Sequence, residues 1–412
     1  MRSILHIDLN NFYASVECLL RPKYRNKPLC VCGDVEARHG VVLAKNFLAK
    51  SMGVKTGMVL WEAKQLCPNL ISVNARFELY LKYSKKVKNI YRRFTDRIEP
   101  YGIDECWLDI TDSLKLFGDA YTIAFKIKEA IKEELGLTVS AGISYNKIYA
   151  KLGSDQAKRD DIFEITKENR DEKIFPLPVE NLLYVGKATK KKLNKINVFT
   201  IGDLAHTDYN VLKMLLGKWG EYLYNFANGF DLSPVRKDLE KVPFKSIGNS
   251  LTNYKDIDSE KDVKSLIALL SESVIYRARD YNLTTAKTLS VYVKNISLVS
   301  VGYSCKFNPN ILVCSNLENQ AYELLKKNYN FKEKIRAMGI SVSGFEKNII
   351  QSSILYDCEK FEKQLKLEET INKLKKKYGN WVFQSADVLK DEKLKTLDIK
   401  KEHIIHPESY FK

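Results

Sequence analysis

Short apolar runs alternate with amphipathic stretches along the first 170 positions. Residues 3–8, with Ile4, Leu5 and Ile7 close together, predict a buried strand, and helical potential begins near Phe12. Residues 28–32 and 41–44 read as further strands, separated by turn signals at Gly33-Asp34 and His39-Gly40. Two short helices, 46–52 and 60–67, are divided by Gly53 and Gly57. A longer amphipathic helix over 77–95 leads to two strands, 98–101 and 105–109, about a tight turn at Gly102-Ile103-Asp104. Ile123, Ile127, Ala130 and Ile131 mark one face of a helix over 119–135. A strand at 138–143, a helix at 147–155 and a strand at 162–165 follow. This interleaving, with an antiparallel pair in its middle, predicts an α+β core.

The pattern changes after residue 170. Residues 171–235 are mostly helical, with glycine turns at Gly186 and Gly217, and 236–240 read as a linker. From 245 to 345 the order is strand, helix, strand, strand, helix, strand: a βαββαβ unit. A charged tail, helical over about 359–378, closes the chain. The length of 412 residues calls for two to four domains.

Composition narrows the function classes. A net charge of +16 favours a polyanionic partner, nucleic acid or an acidic membrane surface. The longest apolar runs, such as 290–293, are far too short to cross a bilayer, and the first residues carry no signal-peptide hydrophobic region. A cytoplasmic protein with no membrane contact is expected. The eight cysteines include no CxxC pair, which argues against zinc and for small buried side chains in a reducing compartment.

The chemistry-bearing residues are acids at strand ends. Asp8 ends the first strand, and Asp104-Glu105 sit at the central turn, where both can reach one cavity. Carboxylates crowded together repel each other and call for a cation. Oxygen donors with few histidines suit Mg²⁺, and two such ions about 3.5–4 Å apart would clamp a phosphoryl transfer. A lone strand-end aspartate is more often structural, so the surrounding residues decide.

Those surroundings resemble the Y-family DNA polymerases, the DinB and UmuC group of bacteria. Residues 8–17, Asp-Leu-Asn-Asn-Phe-Tyr-Ala-Ser-Val-Glu, look like the first acidic motif of that family. Residues 101–110 resemble its second, with the core S-I-D-E-A-x-L-D, and residues 142–152 its third, G-I-S-x-N-K-x-x-A-K. The resemblance runs in family order to about Gly344. It implies a right-hand polymerase: a palm of residues 1–12 and 73–170, small fingers of 13–72 and a helical thumb of 171–235. The 236–240 linker would then lead to a βαββαβ little finger of 241–350 and a tail of 351–412.

The resemblance also implies roles. Asp8, Asp104 and Glu105, with the Leu9 carbonyl, would hold two Mg²⁺ ions. Tyr13, next to Phe12, stands at the steric-gate position that excludes a 2′-hydroxyl. No P-loop is present, so side chains must grip the triphosphate. Lys50 and Lys158 match the family's phosphate contacts. Phe47 stands where tyrosine is usual and Lys50 where arginine is usual, which removes a hydroxyl and a bidentate fork. Lys50 and the long tail lean towards the UmuC side.

DNA contacts are implied for the thumb turn at Gly186, Lys187 and Thr189, and for Lys245 and Arg336 in the little finger. Residues 241–347 hold 16 Lys and Arg against 10 Asp and Glu, a net +6 that suits sequence-independent phosphate binding. Gln351, Ile354, Leu355 and Tyr356 resemble a sliding-clamp peptide, Q-x-x-L/I-x-F/Y. The partners implied are primer–template DNA, deoxynucleoside triphosphates and a sliding clamp, with a UmuD-like accessory protein left open. The expected activity is low-fidelity DNA synthesis in damage bypass, repair and the SOS response, a mutator function. Two rivals are a palm-fold cyclase, which would lack thumb and little finger, and a catalytically dead scaffold, which the intact acids oppose.

Overall fold

The computed structural model describes residues 2–33, 40–238, 245–331, 333–345 and 358–397. They form two compact units, one built mainly on residues 2–31 and 42–238 and the other mainly on 245–397.

The first unit begins with β1 (Ile4–Leu9), α1 (Phe12–Leu20), β2 (Leu29–Cys32), β3 (Val42–Lys45), α2 (Phe47–Ser51), α3 (Leu60–Leu66) and β4 (Ile71–Asn74). It continues through α4 (Phe77–Tyr91), β5 (Ile98–Pro100), β6 (Glu105–Asp109), α5 (Leu114–Phe117), α6 (Ala120–Leu135), β7 (Val139–Ser144), α7 (Lys147–Gln156) and β8 (Ile162–Glu164). A helical segment follows: α8 (Arg170–Lys173), α9 (Lys187–Asn194), α10 (Ile201–His206), α11 (Tyr209–Leu216) and α12 (Lys218–Ala227). The predicted elements are found with ends shifted by a few residues, and β4 and α5 are additions. β4 has only four residues, with Ile71, Ser72 and Val73 half-buried and Asn74 exposed, a pattern too brief for periodicity to detect.

The main sheet has the order β5-β6-β1-β7-β8. Only β7 and β8 run parallel among its neighbours. Strand alternation sorts β1 between two packing layers. Leu5, Ile7 and Leu9 are buried in one core with Tyr80, Val87 and Ile90 of α4 and Ile123, Ile127 and Ile131 of α6. Ile4 faces the other way, clustered with Trp107 and with Ala150 of α7. α6 is closed at both ends as its sequence anticipates. Asp119 accepts a hydrogen bond from Thr122 N at 2.7 Å, and Gly136 takes a left-handed φ of 65°.

α7 lies unusually close to the sheet. A Cβ on Gly142 of β7 would stand 2.0 Å from the Ala150 carbonyl oxygen and 2.3 Å from the Ser154 nitrogen. Both are backbone atoms and cannot swing aside. A buried ion pair anchors the first turn of the helix: Lys147 Nζ donates to Glu99 at 2.7 Å and lies 4.8 Å from the Trp107 ring centre. Arg236 adds a second cation to Glu99 at 3.2 Å. Without such partners a charge at this depth would cost several kcal/mol.

The second unit is the predicted βαββαβ order. It runs β9 (Ser246–Ile257), α13 (Glu260–Asp280), β10 (Thr288–Asn295), β11 (Ser300–Lys306), α14 (Cys314–Asn328) and β12 (Ile335–Ser343). All strand pairs in its β11-β10-β12-β9 sheet are antiparallel. The tail is more than a charged appendage. After α15 (Cys358–Tyr378), Val388 of α16 (Ala386–Leu389) and Leu394 beyond it enter the same core as α13 and the sheet. The Tyr254 hydroxyl donates to Asp391 at 2.9 Å, and Ser265 Oγ to the Asp387 carbonyl at 2.8 Å. Gln351, Ile354, Leu355 and Tyr356 lie outside the described residues.

Gly142→Ala is expected to cost about 3 kcal/mol through overpacking, because α7 must move off the sheet. That corresponds to a Tm lower by about 6–12 °C for a unit of this size. Thermal unfolding of the purified variant checks it; an unchanged Tm would show that α7 has room to shift.

Candidate active site

β1 organises the acids. It pairs antiparallel with β6 and β7, so Asp8 stands directly across from Glu105 on one side and Ser140 on the other. Residues opposed in a ladder share a face of the sheet, and the two carboxylates enter the same space. Asp104 ends the turn before β6, and its carbonyl accepts from Leu9 N at 3.2 Å, tying the turn to the strand. The turn needs Gly102, which sits at φ 96°, where a side chain would be strained. Asp8, Leu9, Asp104 and Glu105 line one cavity of about 660 Å³.

The same cavity gathers Phe12 and Tyr13 from α1, Phe47 and Lys50 from α2, and Lys158 after α7. Every nucleotide-facing residue expected from the sequence is therefore in one place. The structure adds Lys45, Thr56, Asp155 and Arg159 to the lining. In the sequence Arg159 follows Lys158 and Lys45 lies just ahead of Phe47, but nearness along the chain carries no direction in space. Lys45 Nζ donates to Thr56 Oγ1 at 2.8 Å. Burial first, and Lys50 second, push the Lys45 ammonium below its usual range. Crowded cations of this kind suit a polyphosphate. Phe47 is exposed, with the Arg159 guanidinium 5.9 Å from its ring centre. Asn46 is structural: its Oδ1 accepts from Ala49 N and Leu29 N, and its Nδ2 donates to the Lys27 carbonyl.

The three acids do not share one electrostatic state. Burial pushes Asp8 well above the usual carboxylate range, with Glu105 as the second cause. Burial, then Glu105, also lifts Asp104 to about 6. Glu105 is also subject to burial, which acts to raise it, but His6 and Lys151 outweigh that effect and draw it down to about 2. Lys151 Nζ lies 3.0 Å from Glu105 and 2.9 Å from Asp155. His6 is completely buried, with Nε2 3.3 Å from Glu105 and Nδ1 2.7 Å from Ser154 Oγ. Burial pushes His6 below its usual range, so a neutral ring is favoured. Lys151 falls within the third motif and His6 just before the first, yet nothing in their spacing shows that both meet Glu105.

These donors fit a hard divalent cation. They are all carboxylate oxygens, and two of them are held above their usual range by burial first and by the charge of Glu105 second. Among the described residues no three donors are already drawn together around one point, and Glu105 is engaged by Lys151 and His6.

The expected DNA contacts lie elsewhere in the fold. Gly186 is the residue before α9, exposed, with open space where a Cβ would stand. Lys187 and Thr189 follow in the first turn, so free backbone N–H groups face outward there. Lys245 and Arg336 belong to the second unit. Lys245 is exposed before β9, and Arg336 sits at a bulge where β12 slips register against both β9 and β10.

Comparison with known proteins agrees with this architecture. Residues 7–155 match the impB/mucB/samB family, residues 244–354 its C-terminal domain, and residues 180–231 the DNA polymerase-iota thumb domain. A DNA polymerase IV of Acetivibrio thermocellus is 47% identical over 395 residues, 95% of this chain and 99% of that protein. DNA polymerase IV 1 of Bacillus subtilis is 35% identical over 96% of this chain and 95% of its own length. Among solved structures, a Y-family DNA polymerase chimera of Dbh and Dpo4 superposes with a TM-score of 0.74 at 26% identity. It covers 84% of this chain and all of its own. DinB from Sulfolobus solfataricus gives a TM-score of 0.56 at 26% identity, with the same coverage. These relatives correct the lean towards UmuC that Lys50 and the tail suggested: one substituted lysine carries less information than identity across the whole chain. The chain belongs to the Y-family of DNA polymerases, the impB/mucB/samB family, on the DinB side whose relatives are named DNA polymerase IV.

Proposed function

We propose that this cavity is where the chain adds deoxynucleotides to a primer 3′ end, and that Asp8, Asp104 and Glu105 hold the Mg²⁺ ions the reaction requires. The observation that carries this reading is the β1–β6 register. It sets Asp8 against Glu105 beside Asp104, in a cavity whose other walls carry Lys50 and Lys158. The chain is a DNA-directed DNA polymerase of the translesion type.

Bound Mg²⁺ would lower the barrier by activating the primer hydroxyl and offsetting charge on the departing pyrophosphate. The chain's own residues supply the positioning. Lys50 and Lys158, with Lys45 and Arg159 beside them, draw the triphosphate towards the acids. Tyr13 lies under the sugar and excludes a 2′-hydroxyl. Burial lifts its phenol to about 12, so the ring stays neutral at working pH. Lys151 and His6 hold the Glu105 carboxylate. Gly186, Lys187, Thr189, Lys245 and Arg336 contact the DNA backbone, and salt weakens that binding. The segments serve as palm, fingers, thumb and little finger with the boundaries read from the sequence. Gln351, Ile354, Leu355 and Tyr356 dock on a sliding clamp. Among the described residues no helix is long and apolar enough to cross a membrane, which supports cytoplasmic action on DNA.

Primer extension with Mg²⁺ and four deoxynucleotides tests the centre. Asp104→Ala with Glu105→Ala is expected to lower the rate at least about 10³-fold, because the charge-stabilising ions lose their ligands. Extension by the double variant at the wild-type rate would sink the assignment.

Asp104 also predicts a pH dependence. Its folded value of about 6 lies above the usual 3.8, so the folded state binds the proton more tightly than the unfolded chain. Without metal, this group leaves stability highest below about pH 4 and removes it as pH rises through 6. Asp104→Asn should therefore raise metal-free stability at pH 8 by about 1–2 kcal/mol, allowing for solvent screening, and by little at pH 4. Equal gains in denaturant midpoint at both pH values would rule out titration as the cause.

For the tail, Gln351→Ala with Tyr356→Ala is expected to abolish stimulation by a loaded clamp. Stimulation equal to that of the wild type would remove these residues from that role.

A further inference from the structure

Tyr13 is not a freely placed ring. It stacks on Tyr80 of α4, with centroids 4.3 Å apart and planes 10° from parallel. Phe77 packs edge-on against it at 6.0 Å, and Phe12 lies at 5.6 Å. Tyr80 is completely buried whereas Tyr13 lines the cavity, so Tyr80 occupies the inner side of the gate ring. Any movement of Tyr13 away from the sugar would have to displace Tyr80.

Tyr80 is itself held. Its hydroxyl donates to Glu17 Oε1 at 2.8 Å, and Arg76 donates to the two oxygens of that carboxylate, Nε at 2.9 Å and Nη2 at 2.6 Å. Glu17 is a fully buried acid that phosphoryl transfer does not use. The helical spacing explains the arrangement. Tyr13 and Glu17 are four residues apart on α1, and Arg76 and Tyr80 are four residues apart at the start of α4. The two pairs face each other, so one turn of α1 meets the ring of Tyr80 and the next meets its hydroxyl. The bidentate fork fixes the carboxylate in orientation as well as position.

We propose that the Arg76–Glu17–Tyr80 chain is a positioning device for the gate, and that it sets how strongly Tyr13 discriminates between deoxyribose and ribose. This rests on the reading of Tyr13 as the gate. Loss of the anchor lets Tyr80 tilt, and the gate ring gains the room that a 2′-hydroxyl needs.

Single-nucleotide insertion by the full-length protein tests this, comparing kcat/KM for matched deoxyribo- and ribonucleoside triphosphates on one primed template. Tyr13→Ala is the control and should collapse the discrimination. Tyr80→Phe keeps the stacked ring but removes its hydroxyl, and Glu17→Gln removes the charge that orients Arg76. Each is expected to lower discrimination about 10-fold, the scale of a small steric change in a pocket. The fall should come from a lower KM for the ribonucleotide. Arg76→Lys, which keeps the charge without the fork, should restore part of the discrimination lost in Arg76→Ala. A purely structural role would lower Tm while leaving the ratio at the wild-type value, and that result overturns the proposal. Tyr80→Phe keeps nearly the full side-chain volume, so it carries the test if Glu17→Gln fails to fold. If Tyr13→Ala leaves the ratio unchanged, the gate reading falls and this proposal with it. If Tyr13→Ala relaxes the ratio but Tyr80→Phe and Glu17→Gln do not, the gate stands and only the anchoring chain is refuted.

Discussion

Like charges held close in a poorly solvated space govern this molecule. The hydrogen-bond register of β1 with β6 places Asp8 across from Glu105, and the turn at Gly102 brings Asp104 beside them. The strand ladder fixes the backbone positions of Asp8 and Glu105, so both side chains open on one cavity. The fold therefore carries a standing electrostatic cost, which the surrounding core offsets. The close approach of α7 through Gly142, the buried Lys147–Glu99–Arg236 cluster and the apolar packing of α4 and α6 keep the strands in place against it. A divalent cation would relieve the same strain, so the feature that weakens the empty site would also favour binding.

The protein relieves the repulsion in part with its own residues. Lys151 and His6 take up Glu105, and they do so from α7 and from β1 itself. The result is asymmetric: one acid is kept ionised while the other two are pushed towards their protonated forms. Separation of the states of neighbouring carboxylates by their environment is a recurring way to assign them different tasks. The cationic side of the same cavity mirrors this, since burial and then Lys50 oppose the charge on Lys45. A triphosphate bridging acids through metal and lysines through its oxygens would ease both strains at once.

The second unit follows a different logic. It is a one-faced antiparallel sheet covered by two helices, and its basic surplus is spread along the sequence rather than gathered into a pocket. Backbone phosphates ask for charge and shape, not for a fixed constellation of side chains. The tail contributes Val388 and Leu394 to this core, so the unit depends on residues that composition alone would assign to a solvated extension.

Much of this was legible in the amino-acid order. Strand and helix periodicity, the βαββαβ order, and the three acids with Tyr13, Lys50 and Lys158 are local patterns, and local patterns survive in one dimension. The sequence also showed its own departures, Phe47 and Lys50, from the commoner family motif. What it could not show were meetings between distant elements. Glu17 and Arg76 are 59 positions apart, and His6 and Ser154 are 148 apart. Arg159 reaches Phe47 only because α7 and α2 border one cavity. Periodicity reports which face of an element is apolar, whereas register and helix packing decide which polar groups meet across that face. The sequence by itself determined the elements and singled out the three acids; only the tertiary structure decided that Glu105 rests on Lys151 and His6, and that the Tyr13 ring stacks on Tyr80, whose hydroxyl meets Glu17.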